Sequence, residues 1–251
     1  KTAYDISLGL VGSEMCIRDR TAETVAAFIM EPVISGGGVL VPPDNYLPMV
    51  RQVCDRHQVL LIHDEVVSGF GRTGRMFGHH HWGGKPDIIT LAKPLAGGLP
   101  LAAVLIPAKV NDRLHFGEHG TTFGGTPVVS AHALKALEII ERENLAKNAT
   151  EIGSYMAEQI GQLISAHPTV LREVRGLGFM IGVELAENID AFANNKKPAS
   201  VQIVNRLHDA GLITIPAGVN VFRLLPPLNI SKTDADEGLS IIESVIKQLI
   251  S

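Results

Sequence analysis

Three polar residues in this sequence stand at the end of an apolar segment or within one, and each has a side chain suited to chemistry. Asp64 follows the apolar run Val59–Ile62, where a carboxylate needs a partner because a buried charge without one is costly. Lys93 precedes small and glycine residues, so its amine has room, and a neutral lysine amine can attack a carbonyl cofactor. Arg223 has apolar neighbours, and a planar guanidinium there suits bidentate capture of a carboxylate.

Each of these residues also has a purely structural interpretation. Asp64 could cap a helix or belong to a loop at a strand end. Lys93 could extend its amine into solvent, which is the commonest arrangement of lysine. Arg223 could form an ion pair inside a small domain. No single residue decides between the chemical and the structural interpretation.

The order and spacing of six motifs are more informative than any one residue. They are IHDEV (62–66), GFGRTG (69–74), PDIITLAK (86–93), HGTTFGG (119–125), RGLG (175–178) and FRLLPPL (222–228). With the 29-residue spacing from Asp64 to Lys93, this set resembles the class III (subgroup II, ω-amino-acid type) aminotransferases of the fold-type I pyridoxal-phosphate superfamily. The resemblance extends from about Thr21 to the C-terminus.

The resemblance implies a role for five residues. Lys93 matches the lysine that binds pyridoxal 5'-phosphate as a Schiff base and then transfers a proton as general base and acid. Asp64 matches the acid that keeps the cofactor's pyridine nitrogen protonated, which makes the ring an electron sink, and Val66 matches the apolar residue packed on the ring. Thr122 matches a hydroxyl residue that reaches the cofactor phosphate of the neighbouring subunit, which implies a homodimer. Arg223 matches the arginine that binds the α-carboxylate of glutamate or 2-oxoglutarate.

Within the family, the runs 91–98, 118–125 and 216–228 are most similar to the acetylornithine aminotransferases of arginine biosynthesis. This similarity implies transfer of an amino group from N-acetylornithine to 2-oxoglutarate. Two departures favour another ω-amino donor, such as GABA, β-alanine, ornithine or putrescine. Gly36 replaces the glutamate that pairs with the substrate arginine, and Val67 replaces a glutamine that contacts the ring hydroxyl.

The segments that must position these residues alternate between continuous apolar strands and amphipathic helices. Strands are predicted at 25–30, 59–62, 87–93 and 101–106, with a helix at 46–57. This alternation predicts an α/β fold with a mainly parallel sheet, in which ligands bind at the carboxyl ends of the strands. We expect residues 21–145 to form part of a large cofactor-binding domain, and residues 146–251 to form a smaller C-terminal α/β domain.

The composition argues against several other classes of protein. Twenty-two basic and 26 acidic residues give a net charge of −4, which does not suggest binding to nucleic acid or to an anionic membrane. Cys16 and Cys54 cannot form a disulfide framework, so we expect a cytoplasmic protein. No apolar run approaches the roughly 18 residues that a membrane span needs.

Residues 1–20 differ from the rest of the sequence. They show neither clear periodicity nor a motif, and the run Ser7–Arg20 resembles a translated sequencing adaptor. The family's phosphate-binding Gly-Ser/Thr loop and its ring-stacking aromatic should precede residue 21, and neither is present. We therefore expect an N-terminally truncated chain, and an inactive fragment is an alternative to an active enzyme.

Three further interpretations compete with the aminotransferase hypothesis. Gly69–Gly74 matches the dinucleotide-binding pattern G-x-G-x-x-G, although the residues after it form a poor helix, which that site requires. His79–His81 could suggest a metal, but without a cysteine or paired carboxylate we expect a solvated loop. A non-catalytic relative that serves binding or assembly is expected to lose Lys93 or Asp64, and both are present.

Overall fold

The structure is a computed structural model that describes residues 24–250. The predicted leader, residues 1–20, lies outside the described residues. The chain forms two compact units, each with its own sheet and helices. The first comprises the described residues up to Val33 together with Pro42–Phe70 and Arg75–Glu143, and the second comprises Ile34–Val41, Gly71–Gly74 and the chain from Asn144 onward.

The first unit has a four-stranded mixed sheet in the order β1-β2-β3-β4. Its strands are β1 (Ala27–Met30), β2 (Leu60–Asp64), β3 (Ile88–Leu91) and β4 (Ala103–Leu105), and its helices are α1 (Tyr46–Arg56), α2 (Ala108–Asn111) and α3 (Pro127–Arg142). Strands β1, β2 and β3 are parallel, and β4 is antiparallel to β3. The predicted α/β fold with a mainly parallel sheet is confirmed.

Helix α1 and strand β2 pack together through a small apolar cluster in the first unit. The helix buries Leu47, Val50 and Cys54, which recur at helical spacing along one face. Val50 and Cys54 pack against the buried Leu61 of β2. Leu61 and His63 are buried whereas Ile62 and Asp64 are half-buried, as the alternation of side chains along a strand requires.

The second unit has a four-stranded sheet in the order β5-β6-β8-β7, in which every pair is antiparallel. The strands are β5 (Leu171–Leu177), β6 (Met180–Leu185), β7 (Ile215–Ala217) and β8 (Val221–Leu224), and the helices are α4 (Leu145–Ala166), α5 (Ala199–Asp209) and α6 (Lys232–Ile250). The helices and the sheet share one apolar core, with Phe179 and Phe222 among its largest fully buried side chains.

Two strands of the second unit differ from what hydrophobic patterning indicates. The apolar run 212–215 suggests a strand, but regular pairing starts only at Ile215. The backbone just before Ile215 bonds to a side chain and not to a neighbouring strand. The Thr214 N–H donates a hydrogen bond to His208 Nε2 at 3.1 Å. Strand β5 gives little apolar signal because Arg172, Glu173 and Arg175 interrupt it.

The helices in residues 24–250 include none with the length and apolar character needed to cross a membrane.

Candidate functional site

Asp64 lies at the carboxyl end of β2, beside the end of the parallel strand β3. Its Cα partner in the sheet register is Thr90. Oδ1 of Asp64 accepts hydrogen bonds from the Val66 N–H at 3.0 Å and from Thr90 Oγ1 at 3.3 Å. Within residues 24–250, Oδ2 accepts no hydrogen bond. The half-buried carboxylate is thus oriented through one oxygen, while the other can face a cationic partner.

Lys93 begins the 3-10 helix Lys93–Ala96, two residues after β3 ends. Its backbone lies in the left-handed region, with φ of +32°, which few non-glycine residues adopt and which occurs preferentially at functional sites. Leu95 and Ala96 are buried and anchor the turn. The Lys93 side chain is exposed, and its amine has no hydrogen bond or ion pair with any residue from 24 to 250. It is therefore available for covalent chemistry.

These two groups match the two ends of a pyridoxal ring in their chemistry. A protonated pyridine nitrogen needs an anionic acceptor, which Oδ2 of Asp64 offers. The aldehyde carbon needs a primary amine without a competing partner, which Lys93 offers. Asp64 ends β2 and Lys93 follows the neighbouring strand β3, at the edge where α/β sheets bind ligands. The residues present therefore fit this cofactor.

Val66 and Thr122 are the other two residues predicted to contact the cofactor. Val66 is half-buried just beyond β2, and its N–H orients Asp64. Thr122 is exposed in the loop between α2 and α3, where Phe116 and Phe123 are also exposed. Large apolar side chains at a surface often mark a contact with another molecule.

Arg223 lies on β8 in the second unit, opposite Gly182 of β6 and Ile215 of β7. Its Nη1 donates a hydrogen bond of 2.5 Å to Ser35 Oγ, and its buried Nε has no partner in the described part of the chain. No carboxylate in residues 24–250 forms an ion pair with it, so the alternative of a structural ion pair has no support there. Its charge remains available for an anionic ligand.

The loop that carries Ser35 is held in place by Arg175. Nε of Arg175 donates to the Gly38 carbonyl at 3.0 Å, and its Nη1 pairs with Glu184 of β6 at 2.6 Å. Gly182 allows the loop to approach closely, because a Cβ there would lie 2.8 Å from the Val39 Cβ. Sequence reasoning missed Ser35 and this use of Arg175. The glycine-rich run Ser35–Gly38 predicted a loop, but nothing in that run indicates that Ser35 contacts Arg223.

Arg72 and Thr73 of GFGRTG contact Gly178 of RGLG and the following residue Phe179 inside the second unit. The Phe179 N–H donates to the Arg72 carbonyl at 2.9 Å. Gly178 has φ of +55°, and a Cβ on it would lie 2.5 Å from the Thr73 carbonyl carbon. No α-helix follows Gly74 directly, and the next helical segment is the 3-10 helix Gly78–His81. Gly74 of GFGRTG also serves packing, because a Cβ on it would lie 2.3 Å from Thr150 Oγ1, and the dinucleotide alternative lacks its helix.

The expectation of a solvated loop at His79–His81 is wrong for His79, which is only 6% exposed. Residues Gly78–His81 form a 3-10 helix, and its first two N–H groups donate to the carboxylate of Glu65. Glu65 was not identified as a functional residue from the sequence. Gly78 N–H donates to Oε2 of Glu65 at 2.8 Å, and His79 donates to Oε1 through its N–H at 3.0 Å and bonds it through Nδ1 at 2.8 Å. The hydrogen bonds to the buried carboxylate of Glu65, 14 residues earlier in the chain, keep His79 buried. His80 makes no such contact with Glu65 and is exposed.

Comparison of the sequence with models of protein families shows the family to which the chain belongs. The model described as aminotransferase class-III matches residues 13–246. The chain belongs to the class-III aminotransferase family. This confirms the family resemblance, the fold-type I architecture and pyridoxal phosphate as the cofactor that the family implies.

Individual relatives support the same family but carry several names. Leucine/methionine racemase from Thermococcus litoralis is 42% identical over 225 residues, covering 90% of this chain and 50% of the relative. Acetylornithine aminotransferase from Methanocaldococcus jannaschii is 37% identical over 233 residues, covering 93% of this chain and 56% of the relative. This class-III aminotransferase chain thus spans about half the length of the curated relatives it matches.

The fold of this chain is also similar to that of a solved transaminase structure. The pyridoxal-phosphate-bound amine transaminase from an uncultivated Pseudomonas species matches with a TM-score of 0.86 at 38% identity, covering 97% of this chain and 56% of that one.

Proposed function

We propose that this protein is a pyridoxal-phosphate-dependent transaminase that moves an amino group from an ω-amino donor to 2-oxoglutarate. The observation that carries the proposal is the pair of chemical groups at the ends of β2 and β3. Asp64 keeps one carboxylate oxygen without a hydrogen bond, and Lys93 keeps an amine without a partner, within residues 24–250. Family membership makes pyridoxal phosphate the ligand that uses both groups.

In this proposal each residue has one task. The bound cofactor supplies an electron sink for the carbanion formed at the substrate carbon that bears the amine. Asp64 holds the positive charge on the pyridine nitrogen and so maintains that sink. Lys93 would hold the cofactor through its amine and would carry the proton to and from the substrate carbon. Val66 packs against the ring face.

Arg223 binds the α-carboxylate of glutamate and 2-oxoglutarate in this scheme. Ser35 supports this role because its hydroxyl holds the guanidinium without neutralising it. Our first choice of donor is N-acetylornithine, which the name of the Methanocaldococcus relative supports. Donors such as GABA, β-alanine, ornithine and putrescine are the alternatives, favoured by Gly36 and Val67.

Racemisation of an amino acid is a second candidate function. The relative from Thermococcus litoralis that is 42% identical carries the name leucine/methionine racemase. A racemase would use Lys93 and Asp64 in the same way but would return the proton to the substrate carbon, so that the amino group never leaves the substrate. The transfer of nitrogen distinguishes the two functions.

We also propose a role for each of two domains of the chain, and a homodimer in which one subunit completes the site of the other. Residues 21–145 form part of the cofactor-binding domain, and residues 146–251 form the smaller domain that supplies Arg223. The protein works in the cytoplasm as a homodimer, in which the exposed Thr122 completes the phosphate site of the partner. Its loop is rich in glycine, so that backbone N–H groups can approach an anion closely.

A half-reaction screen tests the proposed function. The protein is loaded with pyridoxal phosphate and mixed with one donor at a time, and cofactor absorbance and chiral composition of the donor are followed. A transaminase converts the cofactor to its amine form with glutamate and with an ω-amino donor, and 2-oxoglutarate reverses the change. Inversion of leucine or methionine without loss of nitrogen would instead establish the racemase. Lys93→Ala is the control, in which neither change should occur.

A further inference from the structure

A second group of polar side chains lies on the other face of β2 from Asp64. His63 precedes Asp64 in the strand, and the Glu65 N–H continues the strand pairing by donating to the Thr90 carbonyl at 3.0 Å. Because side chains alternate along a strand, His63 and Glu65 share the face opposite Asp64. His79 joins them from the 3-10 helix Gly78–His81, through its contact with Glu65. This group is separate from the proposed cofactor site.

The imidazole of His63 has unmet bonding capacity. The residue is fully buried, at 0% exposure, and neither Nδ1 nor Nε2 has a hydrogen-bond partner in the described residues. Buried polar atoms are rarely left in this state, because an unsatisfied one costs about 1–3 kcal/mol. A neutral imidazole has one unprotonated ring nitrogen, whose lone pair can bind a ligand.

One potential ligand atom from each of His63, Glu65 and His79 lies within 4.8 Å of the other two. Two imidazole nitrogens and one carboxylate oxygen suit a first-row divalent transition metal, and the same set holds zinc with one position left open. All three residues are more than nine-tenths buried. We propose that His63, Glu65 and His79 form a buried site for a divalent transition-metal ion, of which zinc is the representative.

The hydrogen bonds of Glu65 are compatible with a bound ion. Its carboxylate receives the hydroxyl of Ser68 at 2.5 Å, the two backbone N–H groups of Gly78 and His79, and the His79 ring at 2.8 Å. The ion takes the place of the ring proton between His79 Nδ1 and Oε1 of Glu65, and that proton moves to Nε2. The other three donors remain and orient the ligand, as outer-shell contacts do in metal sites.

The ion would link His63 and Glu65, at the end of β2, to His79 in the 3-10 helix. Its role is structural, since the site lies on the face of β2 away from Asp64. Binding to the folded chain alone raises stability in proportion to the logarithm of the free metal concentration. The structure therefore predicts a protein whose thermal stability depends on zinc in the absence of pyridoxal phosphate, a readout independent of transaminase activity.

Metal content and thermal unfolding test the site. The protein is stripped with a chelator, desalted, given one equivalent of Zn²⁺ and desalted again before elemental analysis. We expect one retained ion per chain and a higher melting temperature than that of the stripped protein. Substitution with Co²⁺ should give the visible absorption bands of a site with nitrogen and oxygen ligands.

His63→Leu and His80→Gln form a matched pair of variants. His63→Leu removes one ligand together with the two unsatisfied nitrogens, so the metal-free variant should be at least as stable as the metal-free parent. Its zinc affinity should fall by more than the roughly 10- to 100-fold that loss of an outer-shell partner costs. His80 is exposed, and His80→Gln should bind zinc as the parent does. Undiminished zinc binding by folded His63→Leu, or no retained zinc in the parent, would overturn the proposal.

Discussion

The guanidinium of Arg223 on β8 donates a hydrogen bond of 2.5 Å to the hydroxyl of Ser35 in the glycine-rich loop of the same unit. Ser35 is 2% exposed, so this contact is sheltered from water. A hydroxyl accepts the bond without cancelling the positive charge, whereas a glutamate in this loop would cancel it. Arg223 is thus oriented by a neutral partner and keeps its capacity to bind a carboxylate.

We predict that Arg223→Lys weakens the binding of glutamate and 2-oxoglutarate. Lysine keeps the charge but loses the bidentate fork, and a hydrogen bond to a charged group contributes about 1.5–3 kcal/mol, or roughly 10- to 150-fold in affinity. The half-reaction of a diamine donor, which has no carboxylate, should change little. Half-reaction rates over a range of substrate concentrations measure both effects. Ser35→Ala, which keeps the guanidinium, is the control with a smaller loss. Equal losses for glutamate and the diamine would show that Arg223 is structural.

We predict that Asp64→Asn retains the cofactor but loses transaminase activity by several powers of ten. An amide cannot hold a full positive charge on the pyridine nitrogen, and each ~1.4 kcal/mol added to the barrier is one decade of rate. Single-turnover rates with glutamate measure the loss. Thr90→Val is the matched control, since it removes one hydrogen bond to Asp64 Oδ1 but leaves the carboxylate. Activity of Asp64→Asn within a few-fold of the parent would contradict the assigned role.

The ion-pair group around Asp87 predicts a dependence of stability on acid pH. Burial tends to raise the pKa of Asp87, but Lys109 Nζ at 2.6 Å, the Leu61 N–H at 3.0 Å and Arg51 Nη1 at 2.7 Å hold it at about 2, below the ordinary 3.8. Because the pKa is depressed in the folded state, this stabilisation is full above about pH 4 and is lost as the pH falls through about 2.

Asp87→Asn should accordingly lower the free energy of unfolding at pH 7 by about 1–3 kcal/mol, since it weakens hydrogen bonds to charged groups. The difference from the parent should shrink between pH 4 and pH 2. Urea titrations at several pH values measure it. Asp55→Asn is the control, because Asp55 also pairs with Arg51 but its side chain is 67% exposed, and exposed pairs contribute little. A difference that stays constant down to pH 2 would refute the explanation.

The parts of the structure that could be predicted from the sequence are those governed by local patterns. The apolar run before Asp64 and the strand predicted at 87–93 indicated a parallel sheet, and β2 and β3 are parallel neighbours with Asp64 in register with Thr90. Asp64 was predicted just beyond the strand 59–62 and is the last residue of β2, whereas Lys93 was predicted as the last residue of the strand 87–93 and lies two residues beyond β3. The assignment of Lys93, Asp64, Val66, Thr122 and Arg223 to individual roles stays a prediction.

The contacts that could not be predicted join residues far apart in the chain. Ser35 and Arg223 are 188 residues apart, and neither local periodicity nor composition indicates that a loop serine accepts from that arginine. The burial of His79 depends on a carboxylate 14 residues earlier that accepts its N–H and its ring. Such pairs are set by tertiary packing, which a single sequence does not reveal.

Covalent trapping of the cofactor tests the central claim most directly. The protein is incubated with pyridoxal phosphate, reduced with borohydride, digested and mapped by mass spectrometry. We predict that the phosphopyridoxyl group is found on Lys93, which lies two residues beyond β3 and whose amine has no partner in residues 24–250. Label on the nearby exposed Lys85, or on no lysine of a protein that has bound the cofactor, would contradict the account.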